Sequence, residues 1–302
     1  MRSVKSLVKG RKTATTPLAV LIVLQVLGLG AGWPQELAPP RIDEEIAKQE
    51  KIYRSRGADV PSGYVTDRGL SDYLGLLPSG FCDALGTLGS SDRWLDIGAG
   101  TGQAIVDYYY APEGDAVPAK KCAGFGGKVS AVAMSIEDRL TDKWQQQAAR
   151  LGNDRIRYLS GKRLRQYSRE ELGKFQIITD VYGGFSYTED LSQFLEKVLN
   201  LLETGGVFYT LAQGVHLEDG KDNPNTWYLT ELVDAAGRDV KVCSWLKQTA
   251  CVKVVCESRS DWQAPTELIN IKKVCSDVSV PRLKLLKYEA GNPPGRRFQL
   301  EP

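Results

Sequence analysis

The octapeptide Leu95-Asp96-Ile97-Gly98-Ala99-Gly100-Thr101-Gly102 constrains this 302-residue chain more than any other stretch. An apolar run, Arg93 to Ile97, meets glycines at every second position, and a helix-prone segment from about Gly102 to Tyr110 follows. Glycine permits a sharp turn and lets the backbone approach a ligand closely, here beside a helix N-terminus. A strand passing through such a loop into a helix is the opening unit of a doubly wound α/β sheet. The rest of the chain keeps that alternation. Strands are predicted at Val129 to Met134, Ile156 to Leu159, Phe175 to Val181 and, after Gly205-Gly206, Val207 to Ala212. Helices are predicted after the strand at Val129 to Met134, through Leu151 and containing Trp144, and from Leu191 to Leu202. The pair Val240 to Leu246 and Cys251 to Glu257 predicts an antiparallel hairpin completing the sheet, and Ala111 to Lys128 reads as an insertion.

Ahead of this core, Arg41 to Arg56 is helix-prone, and Leu70, Tyr73, Leu74 and Leu77 form an amphipathic stripe. Gly80 to Gly89 reads as a further short helix. The glycine spacing differs from the pyridine-nucleotide fingerprint, which needs glycine at the position of Gln103. Asp96, two residues before Gly98, also suits a cationic ligand better than a pyrophosphate. An NAD-dependent oxidoreductase is disfavoured on both grounds.

The octapeptide resembles the first motif of class I S-adenosylmethionine-dependent methyltransferases, in their small-molecule branch. Phe175-Gln176-Ile177-Ile178-Thr179-Asp180 is similar to that family's fourth strand, and Leu201-Leu202-Glu203-Thr204-Gly205-Gly206-Val207 to the approach to its fifth. The resemblance implies a Rossmann-like doubly wound, mostly parallel sheet over residues 92–257. A linker and helical cap at 34–91 precede it and an extension at 258–302 follows. It implies S-adenosyl-L-methionine as cofactor, with Asp96, Gly98, Ala99, Gly100, Gly102 and Gln103 at its methionine end. The family places an acid at the end of the second strand for the ribose hydroxyls, where this chain has Ala133, with Glu137 and Asp138 just beyond. It often places another after the third strand for adenine, where this chain has Ser160-Gly161-Lys162-Arg163.

Asp180 and His216 are the candidates for catalysis, since both follow strands whose carboxyl ends border the substrate pocket. Asp180 either orients or deprotonates a nucleophile or caps a turn. His216 titrates near neutrality or is an exposed loop residue. Tyr64 and Tyr73 are candidates for a lid or for core packing. The Asn/Asp-Pro-Pro-Tyr tetrapeptide of amino-group nucleic-acid methyltransferases is absent. The implied substrate is a small molecule, free or lipid-linked. A non-catalytic, methyltransferase-like binding or interaction module is the competing expectation.

Charge and cysteine usage set the remaining expectations. Arg2, Lys5, Lys9, Arg11 and Lys12 precede an apolar run from Pro17 to Leu29 that ends in small residues. Residues 1–33 therefore read as a signal peptide or membrane anchor, giving an exported or membrane-anchored protein; an organelle or cytoplasmic location is the alternative. The rest of the chain holds more acidic than basic residues, which opposes nucleic-acid binding. The only histidine and the lack of any CxxC pair oppose a metal site. The scattered cysteines Cys82, Cys122, Cys243, Cys251, Cys256 and Cys275 are expected as buried free thiols.

Overall fold

The computed structural model describes residues 42–54, 68–110, 122, 129–152, 155–213, 230–259, 266–291 and 293–302. The N-terminal segment, Tyr64, His216 and most of the 111–128 insertion lie outside the described residues. Helix α1 (Ile42–Arg54), α2 (Leu70–Leu76) and α3 (Phe81–Gly86) precede the first strand, β1 (Arg93–Ile97). The chain continues as α4 (Gln103–Tyr109), β2 (Ser130–Met134), α5 (Asp142–Leu151), β3 (Ile156–Leu159), α6 (Arg169–Leu172) and β4 (Phe175–Asp180). Next come α7 (Gly184–Tyr187), α8 (Leu191–Leu201), β5 (Leu202–Gln213), β6 (Thr230–Val233), β7 (Asp239–Val240) and α9 (Val242–Leu246). Strands β8 (Val252–Arg259), β9 (Thr266–Lys273), β10 (Leu283–Glu289) and β11 (Gly295–Leu300) complete it.

Seven strands form one sheet in the order β3-β2-β1-β4-β5-β9-β8. The first five run parallel, as their apolar character and intervening helices require, and β9 and β8 are antiparallel. The chain moves outward from β1 to β3 and then returns to place β4 on the other side of β1. This Rossmann-like order makes the carboxyl ends of β1 and β4 a topological switch point, where ligands of such sheets bind. Strand alternation separates two cores. Leu95, Ile97, Val132 and Met134 pack on the face covered by α8, while Trp94, Ala131, Ala133 and Ile177 pack on the face covered by α2, α4 and α5.

The antiparallel hairpin exists, with different strands from those expected. Val242–Leu246 is a helix because Val242, Trp245 and Leu246 have helical spacing and are all buried. The partner of β8 is β9, so the large sheet extends through Lys273, beyond residue 257. The C-terminal residues, whose packing the sequence left open, are built into sheet. Strands β10 and β11 join β6 and β7 in a second sheet, ordered β10-β11-β6-β7. Helix α1 packs on β10, and Glu45 and Gln49 each accept a backbone N–H, from Ala290 and Gly291, at 2.8 Å.

The free-thiol expectation is corrected. All six cysteines pair, as Cys82–Cys122, Cys243–Cys256 and Cys251–Cys275. Partners lie up to 40 residues apart in sequence, and the fold sets their Cα atoms 5.1–6.3 Å from each other, within bridging reach. No helix among the described residues is long and apolar enough to cross a membrane.

Candidate functional site

The glycine loop between β1 and α4 is built on left-handed backbone. Gly98, Gly100 and Gly102 have φ of 76°, 57° and 78°, a region that non-glycine residues enter only with strain. A Cβ on Gly98 would lie 2.5 Å from the Cα of Gly183, and one on Gly102 would strike the Trp144 ring at 2.4 Å. The loop thus meets a second glycine turn on one side and α5 on the other. Its backbone is fixed further by β2 and β3. The amides of Gly98 and Ala99 donate to the Met134 carbonyl at 2.9 and 3.0 Å. The Tyr158 hydroxyl donates to the Gly100 carbonyl at 2.6 Å.

A cleft of about 580 Å³ opens at this loop. Its floor is Ile97, Gly98 and Gly100, and the segment Met134 to Glu137 after β2 lines one side. Lys162 to Arg165 after β3 close one end, and Tyr182 to Gly184 after β4, with Arg68, form the other. Tyr187 to Asp190 and Phe194 complete the wall below.

The sequence-predicted residues divide sharply. Gly98 and Gly100 line the cleft, whereas Ala99 and Gly102 face the packed side of the loop. Gln103 points along α4, where its amide donates to Asp107 at 2.6 Å. Asp96 is wholly buried on the α2 face of the sheet. It accepts from the Tyr73 hydroxyl at 2.8 and 2.9 Å and from the Thr179 hydroxyl at 2.7 Å, and the Trp94 indole donates to Thr179 in turn. Burial pushes the Asp96 carboxyl up to about 7, against the pull of those two hydroxyl groups. Tyr73 is a core residue holding this carboxylate.

Asp180 is equally buried. One oxygen accepts from the Gly183 amide at 2.8 Å and the other from the Phe185 amide at 2.9 Å. Burial raises it to about 7, the amides oppose that, and nearby Asp96 adds to it. This geometry makes Asp180 the cap of the turn that opens α7, the second of the two roles the sequence left open. The turn is tight. Tyr182 adopts φ 55°, unusual for a residue with a side chain, and a Cβ on Gly183 would lie 2.4 Å from the Ile97 carbonyl.

From the sequence, Glu137 or Asp138 could stand in for the absent acid only if the loop after β2 curls back. Ala133 packs into the α4/α5 core, but the chain curls so that Glu137 lines the cleft, while Asp138 accepts from the Leu140 amide. Arg139 pairs with Glu137 at 3.2 Å. At the β3 end, Arg163 bridges Glu50 of α1 and Glu189, and Arg165 also pairs with Glu189. Burial raises the Glu189 carboxyl, but a backbone amide and the two guanidinium groups outweigh it and hold it below the usual range.

The second sheet supports the wall. Arg296, buried on β11, donates to the carbonyls of Thr188 and Phe185 at 2.7 and 2.9 Å, and Tyr288 of β10 donates to that of Tyr187 at 3.2 Å. These partners lie more than 100 residues apart in sequence, so no local pattern announces them.

No family model matches the sequence, and no curated protein matches it. Among solved structures, the chain is similar to the N-terminal domain of EvdMO1, determined in the presence of SAH and D-fucose. The two are 9% identical, with 78% of this chain and 98% of that one covered, at a TM-score of 0.42. It is also similar to the CurJ carbon methyltransferase, at 16% identity, 63% and 50% coverage and a TM-score of 0.40. A SAM dependent methyltransferase from Aquifex aeolicus is 14% identical over 74% of this chain and 97% of that one, with a TM-score of 0.38.

Proposed function

We propose that this chain is an S-adenosyl-L-methionine-dependent methyltransferase acting on a small or lipid-linked acceptor. The observation that carries the reading is the left-handed glycine loop at the switch point, opening on a cleft of about 580 Å³. The residues present fit the cofactor. Backbone at Gly98 and Gly100 admits close approach, as side chains there would not. Glu137, beyond the tip of β2, offers the carboxylate for ribose hydroxyls that Ala133 does not. The β2–β3 side of the cleft is then the nucleoside end and the β1–β4 side the amino-acid end. Lys162 and Arg163 stand where family members often have an acid, so that end of the cleft offers the adenine no carboxylate from these positions.

When bound, the cofactor supplies a methyl group already activated on a sulfonium. The protein's work is to align the acceptor and exclude water. Asp96 and Asp180 are withdrawn from the cleft, so neither is the base. The same withdrawal favours the second reading, a methyltransferase-like binding module without transfer activity. We further propose export, consistent with the basic, apolar leader and with the pairing of every cysteine, a pattern of oxidising compartments.

Thermal unfolding of the full chain with adenosylmethionine, adenosylhomocysteine or NAD tests the cofactor. At 100 times its dissociation constant a native-state ligand contributes about 2.7 kcal/mol, a shift of roughly 5–10 °C at this size. A shift with the first two and none with NAD supports the reading. No shift at millimolar adenosylhomocysteine in folded protein rejects it. If the ligands bind, methyl transfer to extracted acceptors then separates enzyme from binding module.

A further inference from the structure

The two ends of the cleft differ in how their cations are held. At the β3 end Arg163 and Arg165 are ion-paired to Glu50 and Glu189. At the β1–β4 end stands Arg68, whose described contact is different in kind. Its guanidinium lies 4.8 Å from the centroid of the Tyr182 ring. No ion pair joins it to another described residue. A guanidinium stacked on a ring spends its face on the aromatic and leaves its edge N–H groups directed outward in a fork that matches a carboxylate. Both Arg68 and Tyr182 line the cleft, beside Gly98 and Gly183.

The platform beneath Arg68 is fixed at some energetic cost. Tyr182 holds a left-handed backbone, φ 55°, which a residue with a Cβ adopts only under strain. The turn persists because Asp180 accepts from the amides of Gly183 and Phe185, and Gly183 packs against Gly98. Strain of this sort, enforced by surrounding structure, concentrates at ligand sites. A consequence is that the phenol ring stands in the cleft wall directly under the guanidinium.

Resting on the cofactor reading above, we propose that Arg68, seated on Tyr182, is the receptor for the ligand's α-carboxylate at the amino-acid end of the cleft. Asp96 does not reach the cleft, so the charge recognition that sequence assigned to it belongs to the opposite pole of the same ligand and to a different residue. Glu137 and Arg68 then set the two ends, ribose and carboxylate, with the glycine loop between them. Arg68 is a binding residue here, with no part in the reacting atoms.

The experiment is calorimetric binding to the full chain of two ligands. Adenosylhomocysteine carries the α-carboxylate, while 5′-methylthioadenosine keeps the nucleoside and thioether but lacks the amino-acid group. A charged hydrogen bond is worth about 1.5–3 kcal/mol, so Arg68→Ala should weaken adenosylhomocysteine roughly 10- to 150-fold and leave methylthioadenosine unchanged. Arg68→Lys should recover part of the loss, and Tyr182→Leu should lose part by removing the platform. The lysine variant also carries the comparison should the alanine variant fail to fold. Unchanged adenosylhomocysteine affinity in Arg68→Ala, or an equal loss for both ligands, overturns the assignment while leaving the cofactor reading intact. A wild-type chain that binds neither ligand overturns both.

Discussion

Substituting Gly98 by alanine separates the two demands that the loop places on this position. The residue sits at φ 76°, and the added Cβ would lie 2.5 Å from the Gly183 Cα. A left-handed alanine costs about 1–2 kcal/mol, while fewer unfolded conformations return about 0.4–1 kcal/mol. The contact must open by roughly 1 Å to reach ordinary carbon–carbon separation, and overpacking of this order costs about 1–3 kcal/mol. Gly205 provides the control. It has φ 89° but nothing within 4 Å of an added Cβ. Gly205→Ala should therefore lose only about 1 kcal/mol or less, and Gly98→Ala about 1–3 kcal/mol more. Urea unfolding of both variants, compared at equal m-value, measures the difference. Because the displaced backbone lines the cleft, Gly98→Ala should also abolish adenosylhomocysteine binding, which Gly205→Ala retains. Equal stability losses within about 0.5 kcal/mol, or full ligand affinity in Gly98→Ala, would refute the close-packing argument.

Asp96 and Asp180 are both raised from an ordinary 3.8 to about 7, so the folded chain holds protons the unfolded chain releases. Stability should fall as pH rises through 7, by about 1.4 kcal/mol per carboxyl between roughly pH 6 and 8. Asp96→Asn should remove at least half of that slope, since the Asp96 charge also helps raise Asp180, and a flat or rising profile in urea unfolding sinks the assignment. Tyr73→Phe leaves the buried Asp96 carboxylate short of a donor and should cost about 1–3 kcal/mol; an unchanged denaturation midpoint argues against that bond. Reduction should destabilise strongly, since closing loops of 13 and 40 residues, for Cys243–Cys256 and Cys82–Cys122, is worth about 3 and 4 kcal/mol. Mass spectrometry after alkylation without reductant should find no free thiol. Phe298→Ala, in the second sheet and fully buried, should cost about 3–5 kcal/mol; a loss below about 1 kcal/mol would show that sheet to be dispensable.

Local pattern alone determined the parallel core of this protein. Strand-length apolar runs alternating with amphipathic helices admit few arrangements, and glycine at every second position after β1 marks the loop at the switch point. Those features act over a handful of residues, so they are visible in a single sequence. Direction is harder. The pleat turns Asp96 toward α2, and only packing reveals Tyr73 and Thr179 waiting there. An aspartate after a strand serves equally as a base or as a cap until the amides of Gly183 and Phe185 are placed. The curl that brings Glu137 into the cleft past Ala133 depends on loop closure against β3, through Tyr158 and Arg139. Cysteine pairing, the union of β6 and β7 with β10 and β11, and the Arg296 brace are contacts between distant segments. Their partners are chosen by which surfaces the folded sheet leaves side by side, and no short window of sequence contains both halves of such a choice.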